Sequence, residues 1–262
     1  MDIATIEFFG LDLLTIGLLF LAGLFAGAIN AIAGGGTFLT FGAYTLAGLP
    51  PIAASASSAV SQFPGYVTST LAYWSDLRKI WRSALVLAAV SIAGSLGGAF
   101  ILVNLDNEQF RALVPWLLLV ATAIFAGGPY LKPKPRPSDA APQSGATWTS
   151  AIVQFFTAIY GGFFQAGMGI IMLATMSLTI RGDYHRLNSI KNLLSNVISL
   201  VAILVFVSGG IVAWPFALAA MPGVALGGYL GVWLAKRVPQ PYVRGFVVLV
   251  GLSLAAYYFV TG

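Results

Sequence analysis

Cysteine is absent from the chain, which excludes disulfides, thiolate metal sites and cysteine nucleophiles. Charge is almost as scarce: 8% of the residues are charged, where a soluble domain carries about 25%. A chain this poor in charge cannot cover itself with a solvated surface, and lipid is the natural solvent for what remains. There is one histidine, His185, and no Asp or Glu stands well inside any long apolar run. Intramembrane proton relays commonly use buried carboxylates or histidines, so a carboxylate relay is not expected. No cluster of His and carboxylates suits a transition metal. The serines have no histidine base within a plausible span, as a hydrolase would require. No catalytic set, metal or cofactor is therefore expected, and an enzyme is the weaker class.

What is present is apolar, at 58% of the residues, and the few charges cluster. None falls between Asp12 and Asp76, between Asp139 and Arg181, or between Lys191 and Lys236. A spanning helix needs about 20 predominantly apolar residues, so these gaps hold two or three helices each. Shorter gaps, such as Arg82 to Asp106 and Arg111 to Lys132, hold one. The 30 glycines fall largely inside these runs, where small residues let helices approach closely. Ala31-Ile32-Ala33 resembles a signal cleavage site, but the stretch before Leu13 carries Asp2, Glu7 and Asp12 and no basic residue. A secretory signal opens with a basic segment, so the first run is expected to be a permanent helix. The pI near 9.6 reflects basic residues in short loops; it orients the chain in a membrane and does not imply nucleic acid.

The runs predict an all-α polytopic membrane protein. A first helix is expected over about Leu13 to Ala33, then Gly34-Gly35-Gly36 and a short apolar piece from Thr37 to Ala47. After Leu49-Pro50-Pro51, helices are expected at about Ile52 to Trp74, Ser83 to Val103 and Ala112 to Leu131. A Pro-rich polar linker covers 132–147, separating an N-terminal repeat (1–131) from a C-terminal one (148–262). The second half opens with a helix from Trp148 to about Gln165, broken around Gly167-Met168-Gly169, and a short piece to Ile180. Helices at about Asn188 to Val207, Val212 to Ala235 and Tyr242 to Val260 complete it.

Basic loops mark the cytoplasmic side. Placing Arg78, Lys79, Arg82, Lys132, Lys134, Arg136, Arg181, Arg186, Lys191, Lys236, Arg237 and Arg244 there accounts for all but one of the 13 basic residues. Both termini are then periplasmic in a bacterial inner membrane, and each opening element must return to its own side. The halves become inverted-topology repeats, each a broken or re-entrant opening helix followed by three transmembrane helices. Inverted repeats with interrupted segments at matching positions point to a transporter whose site lies at the repeat interface. The plainer alternative is that the glycine clusters serve tight packing.

Irregular backbone at membrane depth is tolerated where protein buries it or where it lines a cavity. The pieces that begin at Gly35, Gly36 and Thr37 and at Gly169 would present N–H groups and positive dipole ends at the two breaks, suited to an anion. Gly34 and Gly167 belong to the same breaks, and Asn30 and Gln165 flank them with side-chain donors. The helix after Pro51 is polar for a span, with Ser58, Ser61 and Gln62 on one face. Its counterpart opens with Asn188, Lys191, Asn192 and Ser195 along one face, and Lys191 is the candidate charged partner of an anion. The alternatives are interhelical hydrogen bonding for the serines and a headgroup-directed lysine.

At these residues the chain resembles the TauE/SafE family of sulfite exporters. The similarity runs through Gly27-Ala28-Ile29-Asn30-Ala31-Ile32-Ala33-Gly34-Gly35-Gly36-Thr37, Gly48-Leu49-Pro50-Pro51, Phe63-Pro64-Gly65 and Ala72-Tyr73-Trp74. In the second half it includes Gly161-Gly162-Phe163-Phe164, Ala166-Gly167-Met168-Gly169, Lys191-Asn192-Leu193-Leu194 and Ala213-Trp214-Pro215. The resemblance implies a secondary transporter of small anions such as sulfite or organosulfonates like sulfoacetate, and a homodimer in the lipid bilayer. A channel-like anion pathway, or a membrane protein without transport activity, is the alternative. Two departures from the family pattern, Met168 inside the second glycine cluster and Ser75-Asp76-Leu77 ahead of Arg78, bear on the substrate.

Overall fold

The computed structural model describes residues 7–8, 10–72, 74, 81–127, 147–180, 184–234 and 240–261. The basic positions Arg78, Lys79, Lys132, Lys134, Arg136, Arg181, Lys236 and Arg237, and the linker up to residue 146, lie outside the described residues.

Among the described residues, ten helices follow an antiparallel ribbon of two short strands, β1 (Glu7–Phe8) with β2 (Leu11–Asp12). They are α1 (Leu13–Ala33), α2 (Thr37–Leu46), α3 (Pro51–Ala72), α4 (Trp81–Val103), α5 (Asn107–Gly127), α6 (Trp148–Phe163), α7 (Met168–Thr179), α8 (Tyr184–Ser208), α9 (Trp214–Leu234) and α10 (Gln240–Thr261). Five of them, α1, α4, α5, α8 and α10, contain segments long and apolar enough to cross a membrane. The protein is an all-α polytopic membrane protein.

The expected order of elements is the observed one, with shifts at polar ends. The α5 helix begins at Asn107, a turn before the expected Ala112. Asp106 caps it by accepting the Gln109 N–H at 2.7 Å, which satisfies a first-turn amide. The α8 helix begins at Tyr184, so His185, expected in a loop, lies in its first turn. Thr147 and Ser150 cap α6 reciprocally, with Ser150 N–H on Thr147 Oγ1 at 3.2 Å and Thr147 N–H on Ser150 Oγ at 2.8 Å.

Small residues set the helix pairing. The α1 helix lies along α9, where a Cβ on Gly27 would run into the Val224 carbonyl and one on Gly227 into that of Leu24. The α4 helix lies along α6 in the same manner, with Gly98 against the Ile159 carbonyl and Gly162 against that of Ser95. Backbones approach this closely only where no side chain intervenes. The α3 helix packs on α8 and α9, α4 on α8, and α5 on α10.

The short α2 is almost wholly buried. Its Phe41 ring meets Phe164 edge-on with centroids 5.3 Å apart and stacks on Tyr258 at 5.9 Å. Phe110 of α5 closes on Phe164 at 5.9 Å. This aromatic cluster fixes the end of α6 and the start of α2 against each other.

Candidate functional site

Both opening helices stop at left-handed backbone. The α1 helix ends where Gly34, at φ 85°, turns its N–H back onto the Asn30 and Ile29 carbonyls at 3.0 and 3.3 Å. Glycine tolerates that conformation without steric cost. The α6 helix ends through Phe164 and Gln165; Gln165 sits at φ 59°, and Gly167 at φ 79° starts α7. Gln165 is the one non-glycine residue at positive φ among the described residues. Strained backbone of this kind persists where surrounding structure holds it.

The two breaks touch. A Cβ on Gly169 would lie 3.0 Å from the Gly34 Cα, and one on Gly34 would lie 2.8 Å from the Gly169 carbonyl carbon. Thr37, the first residue of α2, ties them together: its Oγ1 accepts the Gly167 N–H at 3.2 Å and donates to the Gln165 carbonyl at 3.4 Å. Part of the donor capacity expected at the breaks is turned inward. Phe38 and Leu39 donate to the Gly35 and Gly36 carbonyls at 3.2 and 2.9 Å, and Ile170 and Ile171 donate to Gly167 at 3.0 and 3.1 Å. Gly35 packs against Val247 and Ile170, and Gly36 against Ala26 and Asn30.

Carbonyls at the C-terminal end of a helix have no intrahelical partner and carry the negative end of its dipole. At the end of α1 they are met by α8. The Lys191 ammonium donates to the Asn30 carbonyl at 3.1 Å, and the Asn188 amide to that of Ala31 at 3.4 Å. Lys191 has no exposed surface. At the end of α6 the corresponding donor is a hydroxyl on α3: Ser55 reaches the Phe164 carbonyl at 3.3 Å.

Several buried side chains keep polar atoms without any partner. These are both ends of the Gln165 and Asn192 amides, the Ser195 and Ser199 hydroxyls, and the amide oxygens of Asn30, Asn188 and Gln62. Native interiors leave few such atoms unpaired, and ordered water, an ion or a ligand are the partners that such atoms take. Asn188, Asn192, Ser195 and Ser199 recur at spacings of four, three and four, one face of α8. Each is at most 1% exposed. The face expected from sequence is thus assembled and extended by Ser199, whose spacing from Ser195 was a signal available in the sequence.

The α3 residues do something different. Ser61 spends its hydroxyl proton on the Ser58 carbonyl of its own helix at 3.1 Å. The Ser58 and Thr40 hydroxyls are hydrogen-bonded at 2.5 Å, with either able to donate, and Gln62 donates to Thr40 at 3.2 Å. Thr40, on α2, is a member that sequence reasoning missed, although it follows Thr37 at helical spacing. An apolar groove of ≈ 440 Å³ between the N-terminal halves of α1 and α9, lined by Leu13, Phe20, Leu218 and Pro222 among others, lies away from these polar groups.

The sequence also matches the model of the family described as sulfite exporter TauE/SafE over residues 19–258. A probable membrane transporter protein of Haemophilus influenzae is 26% identical, covering 94% of each chain. A probable membrane transporter protein of Sinorhizobium is 27% identical over 90% of this chain and 89% of its own. The probable membrane transporter protein YfcA of Escherichia coli K12 is 25% identical over 93% of this chain and 89% of its own. With the helices and paired breaks of its described residues and a family match over nearly its full length, this chain belongs to the sulfite exporter TauE/SafE family of membrane transporters.

Proposed function

We propose that this transporter carries a small anion of the sulfite or organosulfonate class by alternating access between two inverted halves, 1–131 and 148–262. The observation that carries the reading is Lys191: a lysine with no exposed surface, beside amides and hydroxyls whose polar atoms lack partners. An isolated buried charge is costly, and an anion seated against α8 would compensate it. Asn188, Asn192 and Ser195 share a helix face near that charge and Asn30 accepts from it, while Gln165, Gly34, Gly36, Thr37, Gly167 and Gly169 belong to the breaks.

The inverted relation is supported by how contacts exchange. Asn188 stands as far beyond Ser55 as Phe164 stands beyond Ala31 and Gly167 beyond Gly34. The Asn188–Ala31 and Ser55–Phe164 bonds are therefore one contact with the halves swapped. The α1–α9 pair exchanges with α6–α4 in the same way, and Gly227 and Gly231 correspond to Gly94 and Gly98. The site residues are closed off on every side, which suits an occluded stage of alternating access.

The deciding experiment is thermal stabilisation of the purified protein against sulfite, sulfate, thiosulfate, sulfoacetate, taurine, acetate and chloride. A ligand of the native state stabilises it by RT ln(1 + [L]/Kd). A saturable shift confined to sulfur oxyanions is expected, and no shift with any of them would overturn the substrate class. Counterflow in proteoliposomes separates a carrier, which accelerates exchange, from a channel, which does not. Because the chain has no cysteine, single cysteines at each terminus can be labelled from the periplasm of intact cells; protection of both would sink the proposed orientation in the inner membrane. Cross-linking through the same cysteines tests the homodimer.

A further inference from the structure

We infer that Asn192, Ser195 and Ser199 line the route by which the transported solute moves between the Lys191 site and the C-terminal end of α8. The inference rests on the site at Lys191 proposed above. It does not require a sulfur anion, or a carrier rather than a channel, since either must open a polar way to that site. The polar face of α8 is longer than one bound solute can use. Ser199 stands eight residues beyond Lys191, about 12 Å along the helix axis. A small solute held by the Lys191 ammonium has Asn188 and Asn192 within a turn of it, and Ser199 lies out of its reach. Yet Ser199 has no exposed surface and its hydroxyl has no partner.

The ordinary uses of a polar side chain in a membrane are taken elsewhere on the same helix. Ser189 and Ser208 donate to the carbonyls three residues back, Arg186 and Val205, each at 2.8 Å. Asn196 places its amide nitrogen on the Tyr66 carbonyl at 3.1 Å and on Thr70 at 2.6 Å, both of α3. Ser195 and Ser199 take no such bond, and both ends of the Asn192 amide are free as well. A serine that forgoes the nearby backbone carbonyls turns its hydroxyl away from its own helix. The three groups stand on successive turns within 186–208, a segment apolar enough to cross a membrane. Unpaired polar groups at that depth are costly and are kept where they face a bundle interior or a water-filled cavity.

The neighbours of Ser199 fix which side of α8 this is. Ile198 belongs to the apolar core with Leu87 and Leu194, and Leu200 is 47% exposed on the outer face. Ala202 and Phe206, both buried, continue the polar face at spacings of three and four and close it beyond Ser199. Hydroxyl and amide groups both donate and accept, so Asn192, Ser195 and Ser199 can replace the hydration of a small polar or charged solute as it passes. Water fills the route when the solute is absent.

The test exploits the absence of cysteine from the chain. Ser195→Cys, Ser199→Cys, Ala202→Cys, Ile198→Cys and Leu200→Cys are made singly in the full-length protein and purified in detergent, which leaves both ends accessible. Each is incubated with methanethiosulfonates that carry a sulfonate or a quaternary ammonium group. Modification is followed by intact mass and folding by Tm. These reagents attack the thiolate, which does not form in packed or lipid-facing apolar surroundings. Cysteines at 195, 199 and 202 should therefore react at least about tenfold faster than those at 198 and 200 with one reagent or the other. Reaction at 195 alone confines the polar groups to the site and overturns the route. Equal rates at all five positions overturn it too, because they report general loosening. Where Ser199→Cys does not fold, Ala202→Cys carries the test, since a route along this face must pass it. Silent cysteines together with a Tm shift by sulfur oxyanions sink this inference alone. Reactive cysteines at 195, 199 and 202 with no anion shift sink the substrate class and leave the route standing.

Discussion

The Lys191 ammonium donates to the Asn30 carbonyl at 3.1 Å, joining the start of α8 to the last turn of α1 across the centre of the molecule. That carbonyl does not depend on the lysine, because it also accepts the Gly34 N–H at 3.0 Å. Removing the charge should therefore orphan nothing. Lys191→Met keeps the stem and loses the ammonium, and exchange of a buried charge for an apolar side chain is often neutral or stabilising. The Tm of the empty protein is expected to stay level or rise. Anion binding should weaken by about 2–5 kcal/mol, the usual loss when one partner of a buried charge pair is truncated. Calorimetric titration with sulfoacetate checks it: unchanged affinity removes Lys191 from the site and leaves it a helix cap.

Thr37 offers the opposite case, a side chain on which a backbone group does depend. Its Oγ1 receives the Gly167 N–H at 3.2 Å at the start of α7. Thr37→Val preserves shape but leaves that buried N–H unpaired, which costs about 1–3 kcal/mol. Thr37→Ser should restore most of it. Thermal melting of the three proteins distinguishes this tie between the breaks from ordinary packing, for which Val would be the better replacement.

Helix order was legible because apolar runs and glycine–proline punctuation are local signals, and α1 ends at the expected Ala33 for that reason. Polar helix ends were not. The first turns of α5 and α8 carry Glu108, Arg111, His185 and Arg186, and charged residues read as loop until a capping bond such as Asp106 to Gln109 is known. The polar face of α8 was legible from spacing alone. The partners of the α3 groups were not, since Thr40, which meets both Ser58 and Gln62, is brought to them only by the fold. Nor does composition announce a glutamine at φ 59°; Gln165 adopts it because Thr37, Phe41 and Phe110 hold the segment from both sides.

Gly34 and Gly48 separate backbone strain from contact. Both have left-handed backbone, at φ 85° and 87°, but a Cβ on Gly48 would meet nothing within 4 Å while one on Gly34 would press on Gly169. Gly48→Ala should cost about 1–2 kcal/mol, the strain of a non-glycine residue in that region. Gly34→Ala should cost more, because the breaks must part as well. Comparable Tm losses for the two would mean that the contact between the breaks carries no energy.

Adjacent glycines in α4 provide the control for helix pairing. A Cβ on Gly97 would enter open space, and one on Gly98 would collide with the Ile159 carbonyl of α6. Gly97→Ala is expected to be neutral or to stabilise by about 0.5–1 kcal/mol, since alanine loses less freedom in a helix than glycine. Gly98→Ala must push α4 away from α6, and overpacking of this kind costs about 1–3 kcal/mol or more. The symmetry argument makes the comparison stronger: Gly231, the counterpart of Gly98, meets the Ala28 carbonyl of α1. Gly231→Ala should therefore lower the Tm about as much as Gly98→Ala does. If Gly98→Ala is costly and Gly231→Ala is not, the two helix pairs are not equivalent and the inverted-halves reading loses its packing support.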